Sequence, residues 1–137
     1  MDDKALIRAA FAVRENAYTP YSHFKVGAAL LGKSGKVYLG CNIENASFSP
    51  TICAERAALA QAVSGGEREF VAIAIVGSLE NQKNTLPTSP CGVCRQALFE
   101  FGGNALQVIL AKSEEDYQVC TLGDLLPLGF GPKNIES

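Results

Sequence analysis

The chain has no tryptophan, one methionine and one histidine, and neither sign of charge dominates it. Each scarcity removes a class of function. The single histidine, His23, stands just before an apolar run and leaves no basis for a Ser-His-Asp triad. Twelve Lys and Arg against fourteen Asp and Glu give a formal net charge of −2. Such a chain lacks the basic surface that displaces counterions from a polynucleotide, and it offers nothing to an anionic membrane. The longest wholly apolar stretches, such as residues 71–76, are far shorter than the roughly 20 residues that span a bilayer. Charged residues are only 19% while apolar ones reach 47%, which excludes a disordered chain. At 137 residues the length suits one domain, 1–137, with a core that needs no staples.

Cysteine is present in an odd number: Cys41, Cys53, Cys91, Cys94 and Cys120. A closed disulfide framework would leave one thiol over, and small secreted scaffolds carry a denser set. The start, Met1-Asp2-Asp3-Lys4, lacks the basic-then-apolar order of a signal peptide. The expectation is a cytoplasmic protein with reduced thiols that serve as core residues, metal ligands or redox groups.

Periodicity predicts an amphipathic helix over 3–18, with Leu6, Ala9, Ala10, Val13 and Ala17 on one face. Residues 26–31 and 37–42 predict a hairpin around Lys33-Ser34-Gly35-Lys36. Ser49-Pro50 predicts a helix start, with serine as cap and proline first in the helix, running to 63 and stopped by Gly65-Gly66. A buried strand over 70–76 and a polar loop over 78–89 follow. Ser89-Pro90 then predicts a second helix start, running to 101. Residues 106–111 and 117–120 predict two more strands, and 123–126 a turn of helix. The order α-β-β-α-β-α-β-β predicts an α/β fold, a mixed five-stranded sheet covered on both faces.

The two predicted helix starts both carry cysteine. Cys53 follows Pro50 by three residues, and Cys91-Gly92-Val93-Cys94 follows Pro90 directly. A helix start has exposed N–H groups and a partial positive charge, which favour the thiolate that zinc binds. If the two starts meet, three sulfurs leave a fourth tetrahedral position open, which is the catalytic pattern rather than the structural one. A redox pair would use the Cys-x-x-Cys alone, and a structural zinc would want a fourth Cys or His. Neither asks for Glu55, two residues from Cys53, where a carboxylate can move protons beside a zinc-bound water. Cys41 and Cys120, in predicted strands, read as packing thiols.

Cys53-Ala54-Glu55 with Pro90-Cys91-Gly92-Val93-Cys94 resembles the signature of the zinc nucleoside and nucleobase deaminases. Cysteine as the first ligand resembles the small, homotetrameric cytidine deaminases. The resemblance extends to Tyr21-Ser22-His23-Phe24-Lys25-Val26-Gly27-Ala28-Ala29, to Cys41-Asn42-Ile43-Glu44-Asn45-Ala46, and to Leu125-Leu126-Pro127 with Phe130. It implies a three-layer α-β-α sandwich. It also implies one Zn²⁺ per chain on Cys53, Cys91 and Cys94, activating a water that attacks C4 of cytosine. Glu55 would protonate N3 and then carry a proton to the departing amine. Asn42 and Glu44 would hold the ribose 3′-hydroxyl, and the Ala54 backbone and Ser89 carbonyl would orient the base. Phe24 and Phe130 would pack on it, Phe130 from a neighbouring subunit. The implied activity is deamination of cytidine and 2′-deoxycytidine in pyrimidine salvage. Phe48 departs from relatives that carry tyrosine there, which removes a hydroxyl but keeps the ring.

Charge adds an expectation. Three thiolates and Zn²⁺ sum to −1, which makes the metal a poorer Lewis acid. The two helix starts and Arg56, beside Glu55, are placed to offset this. Two rival readings remain: a deaminase of the same fold acting on another aminated pyrimidine nucleoside, such as a nucleoside antibiotic, and a non-catalytic zinc-binding module.

Overall fold

A computed structural model describes residues 1–83 and 85–136. One residue of the loop expected over 78–89 therefore lies outside the described residues, as does the last residue of the expected domain. Five strands form one mixed sheet in the order β2-β1-β3-β4-β5: β1 (Phe24–Gly32), β2 (Val37–Cys41), β3 (Phe70–Leu79), β4 (Gln107–Ala111) and β5 (Tyr117–Thr121). Only β3 and β4 are parallel, because α3 (Gly92–Gly102) lies between them in the chain and carries it back across the sheet. Helix α1 (Asp3–Arg14) packs on one face, and α2 (Ala54–Ser64) with α3 on the other. This is the expected three-layer α/β sandwich.

The period of two along the strands explains both cores. In β1 and β3, Ala29, Ala72, Ala74 and Val76 meet Leu6, Ile7 and Ala10 of α1. Their neighbours Ala28, Leu30, Ile73 and Ile75 meet Ala58, Leu59 and Leu98 of α2 and α3. Under α1 the sheet is mostly alanine, so the helix sits close. A Cβ on Gly27 would lie 2.1 Å from the Ala10 carbonyl oxygen. Gly40 does the same for α2 on the other face, where a Cβ would lie 2.4 Å from both the Ala54 oxygen and the Ala58 nitrogen.

Three expected boundaries are corrected. The first helix ends at Arg14, not 18, because the Tyr18 amide bonds the Asn42 carbonyl at 3.0 Å and draws the chain off the helix axis. Ser49-Pro50 does not open α2. Ile52 and Ile43 exchange backbone hydrogen bonds at 3.0 Å, holding the approach extended, and Cys53 is the N-cap. Ser89-Pro90 does not open α3 either, whose N-cap is Cys91. At the first place the Ser-Pro signal has yielded to the Ile43–Ile52 backbone bonds; at the second, Arg95 holds the Pro90 carbonyl at 2.7 Å and the Ser89 hydroxyl at 2.8 Å. The last short helix, α4 (Leu122–Leu125), is capped reciprocally by Thr121 and Asp124.

Candidate active site

The corrected helix starts put two cysteines at N-caps rather than inside first turns. Neither Cys53 nor Cys91 uses its side chain to cap its helix, so both sulfurs are free for another partner. Cys94, at the third position of α3, is buried and faces them. The Cys53 and Cys91 sulfurs are 3.9 Å apart, those of Cys91 and Cys94 3.5 Å, and all three lie within 4.8 Å of one another. A tetrahedral zinc with Zn–S bonds of about 2.3 Å places its sulfurs about 3.8 Å apart. Spacing and donor type both fit one zinc. The two remaining cysteines stand apart as half-buried free thiols.

Electrostatics at the cluster follow from its neighbours. The Cys53 thiol is pulled down to about 5, first by the hydrogen bond with Cys94, then by those of Arg56 and Cys91. Cys94, the donor of that shared proton and itself buried, is pushed up. A metal releases such protons on binding, so the pair is primed to exchange a proton for a cation. An Arg56 Nη2 donates to the Cys53 sulfur at 3.7 Å.

Glu55 is at the second position of α2 and only 4% exposed. Burial pushes its carboxyl up to about 7. A carboxyl that titrates near neutrality can both take and give a proton there, which an exposed glutamate does poorly.

The Ile43–Ile52 bridge that sets the start of α2 also brings the 42–44 segment beside it. Asn42 clamps β1: its Oδ1 accepts from the Val26 amide at 2.9 Å, and its Nδ2 donates to the Phe24 carbonyl at 2.9 Å. One N–H and one lone pair of the carboxamide remain for a ligand. The Glu44 carboxylate accepts from the Tyr21 and Ser22 amides at 3.0 and 3.1 Å, and from the Ser22 hydroxyl. These donors, the hydroxyl foremost, hold it below the usual carboxylate range. Tyr21, Ser22, Glu44, Phe48 and Thr51 line an open depression of about 610 Å³. Phe48 has φ 60°, a left-handed conformation uncommon for a bulky residue, and its ring lies 6.1 Å from that of Tyr21.

Phe24 and Ser89 line one groove of about 410 Å³. Phe130 stands apart from these groups. The residue is 59% exposed, and its carbonyl accepts from Gln96 Nε2 at 2.8 Å. The roles of Ser22 and Gly40 escaped sequence reasoning because their partners, Glu44 and Ala54, lie on other segments, and that of Arg95 because no spacing announces its bonds to Ser89, Pro90 and Leu125.

Comparison with known proteins agrees with this geometry. The family model described as the cytidine and deoxycytidylate deaminase zinc-binding region matches residues 1–110. A protein of Sporosarcina psychrophila named cytidine deaminase is 45% identical over 98% of this chain and 96% of its own. One from Halalkalibacterium halodurans, named likewise, is 48% identical over 95% of each. Among solved structures, a cytidine deaminase from Burkholderia pseudomallei superposes with a TM-score of 0.87 at 50% identity, over 95% of this chain and all of that one. The one from Mycobacterium tuberculosis gives 0.80 at 39%, over 96% and 98%. The chain belongs to the cytidine and deoxycytidylate deaminase family of zinc-binding proteins, and its metal is zinc.

Proposed function

We propose that this protein hydrolyses the 4-amino group of cytidine and 2′-deoxycytidine, giving uridine or 2′-deoxyuridine and ammonia, as a single catalytic domain spanning 1–137. The carrying observation is one tetrahedral face of sulfurs from Cys53, Cys91 and Cys94 with a buried carboxyl, Glu55, two residues from the first of them. A zinc-binding module without activity has no use for that carboxyl. Relatives matched over 98% and 95% of this chain are named cytidine deaminases.

Cys53, Cys91 and Cys94 would hold the zinc, which would supply a water acidic enough to serve as nucleophile near neutral pH. Glu55 would take up the proton released by the nucleophile and deliver it to N3 as C4 is attacked. It then moves the second water proton to the amine, which leaves as ammonia while the oxygen stays on C4. Arg56 offsets the negative charge of the sulfurs by donating to Cys53. The Ala54 N–H, one of the unpaired donors at a helix start, and the Ser89 carbonyl orient the base. Asn42 and Glu44 receive the 3′-hydroxyl, which both nucleosides carry. Phe24 packs on the base.

Phe130 completes the pocket of a neighbouring copy in a homotetramer. Supporting this is a tail rich in exposed apolar side chains, with Phe130 joined by Leu128 and Ile135 at 103% and 78% exposure. No described helix is long and apolar enough to cross a membrane. The cellular setting we propose is cytoplasmic pyrimidine salvage.

The test is the fall in ultraviolet absorbance when cytidine is added, read together with zinc content per chain. Turnover that a chelator abolishes and zinc restores is the expected result. A protein that holds one zinc and leaves cytidine and deoxycytidine unchanged would overturn the proposal.

A further inference from the structure

We propose that Arg95 is a positioning residue of the active site, holding the Ser89 carbonyl where the amino group of the substrate meets it; this rests on the deaminase reading above. Arg95 follows the ligand Cys94 directly. Each of its three guanidinium nitrogens has its own acceptor. Nε donates to the Pro90 carbonyl at 2.7 Å, Nη1 to the Leu125 carbonyl at 2.6 Å, and Nη2 to the Ser89 hydroxyl at 2.8 Å. Among the described residues it forms no ion pair. A half-buried cation committed wholly to neutral acceptors is a geometric clamp, because the rigid fork of arginine fixes three points at once.

Two of those points, the Ser89 hydroxyl and the Pro90 carbonyl, flank one carbonyl. Ser89 and Pro90 end the connection from β3 and lead straight into Cys91. The connection is also tied to the sheet, from the Thr88 hydroxyl to the Gly77 carbonyl at 3.2 Å. Between the bonded Ser89 hydroxyl and the bonded Pro90 carbonyl stands the Ser89 carbonyl. No described group donates to it. It is an unpaired acceptor, held from both sides, at the rim of the groove that Phe24 also lines. An exocyclic amine is the complementary donor. The third bond, to Leu125, and the neighbouring bond of Gln96 to Phe130 tie the same helix turn to the tail.

The experiment uses the zinc-loaded enzyme with cytidine as substrate and uridine as competitive inhibitor. Uridine carries a carbonyl where cytidine carries the amine. Arg95→Ala is expected to raise KM for cytidine about 10-fold, the effect of losing roughly one well-placed hydrogen bond, while the uridine inhibition constant moves less than about 3-fold. Zinc stays at one per chain. Arg95→Lys, a point charge without the fork, is expected to recover little of the loss. Ser89→Ala keeps the carbonyl, removes one clamp bond and leaves the core intact. In a double-mutant cycle its cost is expected to vanish in the Arg95→Ala background.

Equal shifts for cytidine and uridine, additive effects of Ser89→Ala and Arg95→Ala, or loss of zinc from a folded Arg95→Ala variant would each overturn the inference. If Arg95→Ala does not fold, Ser89→Ala alone decides by the same cytidine-against-uridine comparison. A wild-type enzyme inert toward cytidine overturns the deaminase reading instead.

Discussion

Gly40 of β2 lies so close to Ala54 of α2 that a Cβ there would stand 2.4 Å from the Ala54 carbonyl oxygen. The obstacle is backbone, not a side chain that can swing away. Gly40→Ala is therefore expected to push the start of α2 outward, carrying Cys53 and Glu55 with it. Overpacking of this kind costs about 1–3 kcal/mol. Thermal melting should show the destabilisation, and zinc retention should fall in parallel. A variant with unchanged melting and full zinc content would show that the contact relaxes without moving the site.

Glu55→Gln removes the proton shuttle and preserves shape. The variant should keep one zinc and bind cytidine, while kcat falls by about 10³-fold, within the range ascribed to positioned acid–base groups. Single-turnover rates and a zinc assay check it. Turnover near the wild-type rate would assign the proton transfers elsewhere.

How much of this was legible in the sequence differs from residue to residue. Helices α2 and α3 were visible as apolar stretches stopped by paired glycines, and the three zinc cysteines by their recurrence at two helix starts. The places where those helices begin were not legible. Ser49-Pro50 and Ser89-Pro90 are good local signals, but the backbone there is held by the Ile43–Ile52 bridge and by the Arg95 bonds to Ser89 and Pro90, and a Ser-Pro pair announces neither. The end of α1 shows the same competition, since the Asn42 carbonyl captures Tyr18. Asn42 and Glu44 carried meaning only through resemblance, because nothing in their spacing says that one clamps β1 and the other gathers the amides of Tyr21 and Ser22.

Arg56→Ala tests the charge balance at the sulfurs. Arg56 donates to Cys53 at 3.7 Å and faces Cys94 as well. Removing it leaves three thiolates with less compensation. Outer partners of metal ligands typically contribute about 10–100-fold to affinity or activity. Competition with a chromogenic chelator should show zinc lost more readily, with kcat/KM reduced on that scale and melting of the zinc-loaded protein little changed. Full activity and full zinc content would remove Arg56 from the mechanism.

Glu44 offers a prediction in pH. Its carboxylate is held below its ordinary value by the Ser22 hydroxyl and by the Ser22 and Tyr21 amides. A carboxyl whose folded-state pKa is depressed contributes stability that is fully present above the unfolded value, near 4.5, and is lost as pH falls through the lower folded value. Glu44→Gln lacks that contribution at every pH. The melting temperatures of wild type and Glu44→Gln should therefore differ most above about pH 5 and converge in more acidic solution. The same substitution should raise KM for cytidine about 10-fold or more, with kcat nearly unchanged, since a bond to a charged acceptor is worth about 1.5–3 kcal/mol. A gap in melting temperature that stays constant from pH 7 to pH 3.5 would mean that the carboxylate is not what orders the 21–22 turn.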